Sequence, residues 1–494
     1  MNRLDMISRL RSESFDVAII GGGISGLTCA YRLARAGHQV AIYEKSTELG
    51  GLAGSFERGE FIFDYGPHEF CTKNPLLVTA LEDILGDDLV VREKHAAQFF
   101  NGKYVDYPLA PLDVLEQLSP SLALRVGFEV IGQRLKAMVN SLSDHSFEQW
   151  VASRFGPTLY QMYFKPFTEK VWGINPDALD PRTASNRIAF NSVFDYLIKA
   201  TAFFLFKRND FDSIHSPLKD KFYYSRRGIG TLCQRLAERC REVGVVFHSG
   251  FQLQKMDRKG DRIRALHFNN GEVITGFDYV VNTIPLTHML ASLDEPHRHL
   301  PVKFRSMVFV FLEIPQETLS DYSWIYFPDK EICFQRLTDF AHLKADMTPE
   351  GKTGVCFEIS CFPEDEIWLA RDEDVVAKVR DGLERAGLLA QDIPCGSHVV
   401  RRQFIYPIQV TGYLEMVHDL LTPVRSLRNF VTTGRQGLYK YCNMNECMEM
   451  AIDVAEQIEQ DVDRFNYDLG SSWKGAGLEH ERVLQAADLK PDQD

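Results

Sequence analysis

The residues whose types and spacing could do chemistry begin with a glycine run, Gly21-Gly22-Gly23-Ile24-Ser25-Gly26, which fits G-x-G-x-x-G. Such a loop sets backbone N–H groups and a helix N-terminus against a pyrophosphate. The flanking residues supply the context that this use requires. Val17 to Ile20 is a short, β-branched apolar run that predicts a buried parallel strand. Leu27, Ala30, Leu33 and Ala34 then recur at helical spacing, Gly37 stands where that helix should end, and Val40 to Tyr43 predicts a second strand closed by Glu44. In a β–α–β unit of this kind Gly21 makes the tight turn, Gly23 lets backbone approach the phosphates, and Gly26 lets helix and strand pack. Ile24 and Ser25 open the helix that faces the phosphate charge, and Glu44 accepts from a ribose 2′-hydroxyl. An acid there favours FAD or NAD over NADP.

The next stretch of chain separates those two cofactors. Glu48-Leu49-Gly50-Gly51-Leu52-Ala53-Gly54 places a glycine doublet just past the ribose acid, and Asp64-Tyr65-Gly66-Pro67-His68 comes soon after. These motifs resemble the FAD-binding fingerprint shared by amine oxidases, protoporphyrinogen oxidases, phytoene desaturases and UDP-galactopyranose mutases. The resemblance covers about residues 15 to 465 and implies FAD as the cofactor. It implies that Gly51, Leu52 and Ala53 pass close to the cofactor, with Tyr65, Gly66, Pro67 and His68 continuing the contact and Lys45 beside the ribose acid.

Three further motifs extend the likeness to the mutases. Gly434-Arg435, a short spacer and Tyr439-Lys440-Tyr441-Cys442-Asn443-Met444 resemble their GR…YKYYDM, with Cys442 and Asn443 departing from it. By that likeness Gly434 and Arg435 lie near the flavin and Tyr441 reaches a substrate phosphate. Asn443 and Met444 would present backbone N–H groups to the pyrimidine edge of the flavin. Phe304-Arg305-Ser306-Met307 and Phe334-Gln335-Arg336-Leu337-Thr338 resemble the Y-R-S-L and Y-T-R-I segments, which makes Arg305 and Arg336 candidate substrate ligands. Guanidinium forks match phosphate or carboxylate oxygens bidentately. Lys170-Val171-Trp172-Gly173, Pro176 and Arg187 resemble the K-Q-W-G…P…R pattern, while Asn191 replaces a second arginine of the family. His68 matches the histidine facing the flavin, and Tyr406 matches a tyrosine on the floor of the substrate pocket. His68, Arg305, Arg336 and Tyr441 are the catalytic candidates. Trp172, Arg187, Asn191, Arg305, Arg336, Tyr406 and Tyr441 are the candidate substrate contacts.

The chain has 494 residues, enough for more than one core, and a formal charge of −13. No basic block suggests nucleic acid, so an anionic small-molecule substrate would be held by a few local arginines. Ten cysteines are scattered without C-x-x-C spacing, which reads as reduced packing residues and no metal site. The first residues lack a signal-peptide core, and no window reaches eighteen uninterrupted apolar residues. A cytoplasmic protein is expected. The run Tyr196 to Phe206, followed by Lys207-Arg208, is read as a core helix, with a peripheral contact at the inner membrane as the alternative.

The expected fold is α/β, a Rossmann-type FAD-binding domain of the amine-oxidase-like kind with an inserted helical and mixed-sheet substrate domain. Residues 1–105, 222–295 and 425–467 are assigned to the FAD-binding domain, 106–221 to a helical substrate domain and 296–424 to a mixed-sheet substrate domain. Residues 468–494 read as a disordered tail. Phe99 to Val105 predicts a hairpin turning at Asn101-Gly102. These features support three readings. The first is an FAD-dependent oxidoreductase passing hydride from an anionic substrate to flavin N5, the substrate being a sugar nucleotide, a glycan precursor or a carboxylated porphyrinogen. The second is a mutase-like isomerase of sugar nucleotides. The third is a non-catalytic carrier resembling the GDP-dissociation inhibitors, against which the glycine doublet and Glu44 weigh.

Overall fold

A computed structural model describes residues 10–11, 15–72, 74–107, 118–139, 145–185, 188, 221–293, 302–343, 346–389, 393–462 and 464–467. Arg187, Asn191, the apolar run 196–206 and the tail 468–494 lie outside the described residues. The fold is α/β, with a parallel sheet of Rossmann type joined to helical and mixed-sheet regions.

The parallel sheet has five strands in the order Val246–Ser249, Val40–Glu44, Val17–Ile20, Tyr279–Asn282 and Phe430–Thr432. Every neighbouring pair is parallel. Both faces are covered, which is why its strands read as continuous apolar runs. Val17, Ile19, Val40 and Ile42 face one core with the helices Ile24–Arg35, Gly230–Glu242 and Met444–Glu459. Ala18, Ile20, Ala41 and Tyr43 face a second core completed by Phe251 and by Leu266 and Phe268 of a small four-stranded sheet. Strand order reverses at Val17–Ile20, so the glycine run at its carboxyl end occupies the topological switch point where open α/β sheets bind ligands.

A second, seven-stranded sheet runs in the order Gly396–Pro407, Phe304–Ile314, Thr353–Cys361, Arg336–Asp339, Trp324–Tyr326, Ala96–Phe100 and Lys103–Tyr107. It is antiparallel except where Trp324–Tyr326 meets Ala96–Phe100. One face of the strand Phe304–Ile314 shows Val308, Val310 and Leu312 to the helix Asp372–Arg385. The other turns Met307, Phe309 and Phe311 toward the nucleotide lobe. The hairpin expected at 99–105 forms, with Asn101 at φ 51° and Gly102 at φ 76° as a type I′ turn demands. Its placement differs from the assignment of 1–105 to the nucleotide domain, because it adds to the edge of this mixed sheet. A turn dictates pairing between its own two strands but carries no information about which sheet edge they join.

The helical region comprises Pro120–Val139, Phe147–Phe155 and Lys165–Trp172, the last entered through a π-helical turn at Tyr160–Phe164. Its core gathers Trp150, Phe155, Tyr160 and Trp172. Among the described residues no helix is long and apolar enough to cross a membrane.

Candidate active site

The site begins where Val17–Ile20 runs into Gly21, whose φ of +106° is open to glycine and strained for other residues. A Cβ at Gly26 would strike the Gly21 carbonyl, so the helix Ile24–Arg35 can approach the turn this closely only through a glycine. No side chain caps that helix, and the N–H groups of its first turn have no acceptor within it. Glu44, half-buried at the end of the adjacent strand, accepts from the N–H of Gly22 at 2.7 Å and of Ser46 at 2.9 Å. Its carboxylate therefore sits at the edge of the phosphate turn, where a ribose would meet it. The Gly50 N–H donates to the Gly22 carbonyl at 2.9 Å and lays the doublet against this turn, with Gly51–Ala53 forming one 3-10 turn. Gly434 comes up to Ser25, where an added Cβ would stand 2.6 Å from its hydroxyl. Gly23 pairs with Gly50, and Lys45 is exposed.

From this cradle a cavity of about 390 Å³ opens between the nucleotide lobe, the mixed sheet and the helical region. Of the residues singled out in the sequence, Leu52, Tyr65, Pro67, His68, Trp172, Arg336, Tyr406, Arg435, Tyr441, Asn443 and Met444 line it. Trp172, Tyr406 and Tyr441 form a three-sided aromatic cage with centroid separations of 5.9, 6.0 and 5.5 Å. A bulge positions one side of that cage. Arg305 pairs with Tyr406 and Met307 with Arg402, so one residue of the long strand opposes three of its neighbour. Phe404 at φ 60° takes up the excess, and Ile405 and Tyr406 are turned into the cavity. The helical region contributes Phe147, Phe155, Phe164 and Phe167.

The charges in the wall are largely compensated. Arg336 holds Glu358 through two bonds, Nε to Oε1 at 2.6 Å and Nη2 to Oε2 at 2.8 Å. Lys94 Nζ lies 2.9 Å from Glu69 Oε1. Arg435 meets no carboxylate among the described residues. Its Nε donates to the Cys442 carbonyl at 2.8 Å, and its guanidinium carbon lies 5.1 Å from the ring centroid of Tyr441. Burial, reinforced by the charges of Arg435 and Arg336, pushes His68 down to about 3, so its imidazole is neutral at physiological pH. Its Nδ1 is buried without a partner. Lys170 ties the helical region to the mixed sheet by donating to the carbonyls of Phe327 and Asp329, each at 2.7 Å, and burial pushes it down to about 7.

Two expectations need correction. Arg305 does not line the cavity. It is 3% exposed, its Nε donates to the Val171 carbonyl at 3.1 Å, and its guanidinium lies 4.3 Å from the Phe362 ring. It braces the corner that carries Trp172. A strand arginine shows no partner in its local pattern, and here a carbonyl of the helix Lys165–Trp172 claims it. Asn443 lines the cavity, but its N–H is already donated to Glu446 Oε2 at 2.7 Å. Asn443 and Glu446 form a capping box on the helix Met444–Glu459, which takes up the donor expected to face a flavin. Sequence reasoning missed Glu358, Glu69, Lys94, Gln98 and Tyr163. Glu69 directly follows His68 and was within reach. Glu358 is identified only by its cross-strand register with Arg336.

The cradle fits a dinucleotide. It offers a close-packed glycine turn, an uncapped helix N-terminus and an acid at the ribose position, and it leads to a cavity with an orphaned ring nitrogen on His68. The comparisons agree with that geometry. Protoporphyrinogen oxidase 1 of Arabidopsis thaliana chloroplasts is 29% identical over 181 residues, 35% of this chain and 33% of its own length. This chain thus covers about a third of the length of that relative. The crystal structure of reduced UDP-galactopyranose mutase superposes with a TM-score of 0.77 at 20% identity, over 91% of this chain and 96% of the other. A structure from Exiguobacterium sp. 255-15, provisionally described as a protoporphyrinogen oxidase, gives 0.70 at 19% identity, over 92% and 100%. These two likenesses show a shared fold. A family model described as flavin containing amine oxidoreductase matches residues 24–458, and the chain therefore belongs to that family of flavin-dependent enzymes.

Proposed function

We propose that the protein is an FAD-dependent oxidoreductase acting on a substrate with an extended apolar or ring-shaped body and an anionic end. The observation that carries this reading is the composition of the cavity. Aromatic residues dominate its wall, two of its cations are matched by carboxylates, and Arg435 has only carbonyls and ring faces among its described partners. When bound, the flavin supplies hydride acceptance. Gly21 to Gly26 and Glu44 would hold the pyrophosphate and ribose, while Leu52, Tyr65 to His68, Arg435 and Met444 would border the ring system. Trp172, Tyr406 and Tyr441 orient the substrate between their faces, and Arg435 attracts its anionic end. His68, uncharged, offers a ring nitrogen for a hydrogen bond without adding positive charge beside Arg435. Phe155, Phe164 and Phe167 exclude water from the reacting carbon.

A sugar-nucleotide isomerase is the second reading, favoured by the Gly434-Arg435…Tyr441 turn reaching the cavity. It is weakened because Arg336 is engaged by Glu358 and Arg305 stands behind the wall, leaving a diphosphate few cations. One set of experiments separates the readings. The purified protein should be yellow and release FAD on denaturation. Anaerobic mixing with a porphyrinogen carrying carboxylate side chains, or with another apolar-bodied acid, should bleach the oxidised flavin bands. Conversion of UDP-galactopyranose to its furanose by dithionite-reduced protein, with no bleaching by any such acid, would replace the first reading with the second.

A further inference from the structure

Behind the part of the wall formed by Tyr441, Asn443 and Met444, two thiols face each other. Cys442 and Cys447 are 1% and 6% exposed, and their Sγ atoms lie 3.5 Å apart. By spacing alone they read as packing residues. A separation of five falls outside the familiar C-x-x-C pattern, and only the turn into the helix Met444–Glu459 brings them together. Cys447 stands in the first turns of that helix, where the aligned backbone favours negative charge. The bond from the Cys442 thiol, with Arg435 and Ser25 adding to it, holds Cys447 below the ordinary thiol value. The same contact and burial push Cys442 up. The helix position and the neighbouring Arg435 make Cys447 the thiol of the pair that ionises first.

We propose that Cys442 and Cys447 are a redox-active dithiol that hydrogen peroxide entering through the cavity oxidises to an intrachain disulfide. The Cys447 thiolate attacks one peroxide oxygen, forming an S–O bond and breaking the O–O bond, and the departing hydroxide takes up the proton lost by Cys447 to leave as water. Cys442 sulfur then attacks the sulfenic sulfur. The S–S bond forms, the S–O bond breaks, and the second hydroxide leaves as water with the Cys442 proton. Two thiols and one peroxide give one disulfide and two waters, with two electrons passing from sulfur to oxygen. Burial suits a two-oxygen oxidant better than a bulky one. Cys442 lies between Tyr441 and Asn443, which both line the cavity, and Ser25 ties Cys447 to the dinucleotide helix. Closing the sulfurs from 3.5 Å to about 2.05 Å tightens the turn whose carbonyl anchors Arg435. This site goes beyond the proposed reaction and does not depend on it, because the peroxide is supplied from solution.

The test uses the protein as purified, reduced, desalted and treated with equimolar hydrogen peroxide, then alkylated in denaturant and digested. Trypsin leaves both cysteines in the peptide Tyr441–Arg464, and cleavage after Glu446 separates them. The tryptic peptide should lose two hydrogens, and the fragments on either side of Glu446 should stay joined until reduced, while buried Cys29, Cys233 and Cys356 remain alkylated. In Cys442→Ser, dimedone should trap a sulfenic acid at Cys447. In Cys447→Ser, no sulfenic acid should form at Cys442. Full alkylation of both cysteines in the treated wild-type protein overturns the proposal without recourse to a variant. Oxidation of Cys442 in the Cys447→Ser protein overturns the assignment of Cys447 as the attacking thiol.

Discussion

The nucleotide cradle and the cavity next to it are built by opposite means. In the cradle, close contacts run from backbone to backbone, and the residues that permit them are glycines gathered mostly in one stretch of the chain. The cavity wall is made of large side chains drawn from the nucleotide lobe, the helical region and both ends of the mixed sheet. The first arrangement suits a ligand part that does not vary, since backbone atoms cannot be exchanged by substitution. The second can be relined one side chain at a time while the cradle stays intact. Substitutions in the two regions should therefore separate cofactor retention from substrate selection.

The largest expected effect is in the cradle. Gly26→Val places a branched side chain against the Gly21 carbonyl, and the purified variant should lose nearly all of its flavin absorbance while its circular dichroism still reports a folded chain. A yellow Gly26→Val protein would show that the close approach of helix and turn does not govern binding. Next comes the compensated wall. Glu358→Gln leaves the half-buried Arg336 guanidinium without its carboxylate and should cost about 1–3 kcal/mol in urea unfolding. Replacing both by apolar residues should recover most of that loss. A smaller effect is expected at the cage, where Tyr441→Phe should raise KM about tenfold for the loss of one hydroxyl contact worth ~1.4 kcal/mol, with the flavin spectrum unchanged. An equal fall in kcat with KM constant would move Tyr441 from holding substrate to acting on it.

A fourth expectation is read across pH and not at one pH. His68 ordinarily titrates near 6.5 and is pushed down to about 3 in the fold. Between those values the unfolded chain holds a proton that the folded chain does not, so stability is lost as pH falls from 6.5 toward 3. His68→Gln should show a shallower loss across that window in thermal unfolding, by up to one proton. An unchanged slope would mean that His68 is not held neutral by the cavity wall.

Legibility in the sequence follows the same division. The strand Val17–Ile20, its glycine turn, its helix and Glu44 are local features, because strand periodicity, a tight turn and helix spacing each depend on residues a few positions apart. The hairpin at Asn101-Gly102 was legible for the same reason, yet the sheet it joins was not. Arg336 and Arg305 looked alike as single arginines on strands. Register put Glu358 opposite one, and the other is held by the Val171 carbonyl and the Phe362 ring.

The sequence by itself determined the glycine turn and its β–α–β frame, because they are a succession of backbone conformations that only certain residues allow. The tertiary structure decided which charges remain free in the cavity, which rings form the cage and which two thiols meet. Those outcomes depend on distances between residues tens or hundreds of positions apart, or across the entry to a helix, and packing alone sets such distances.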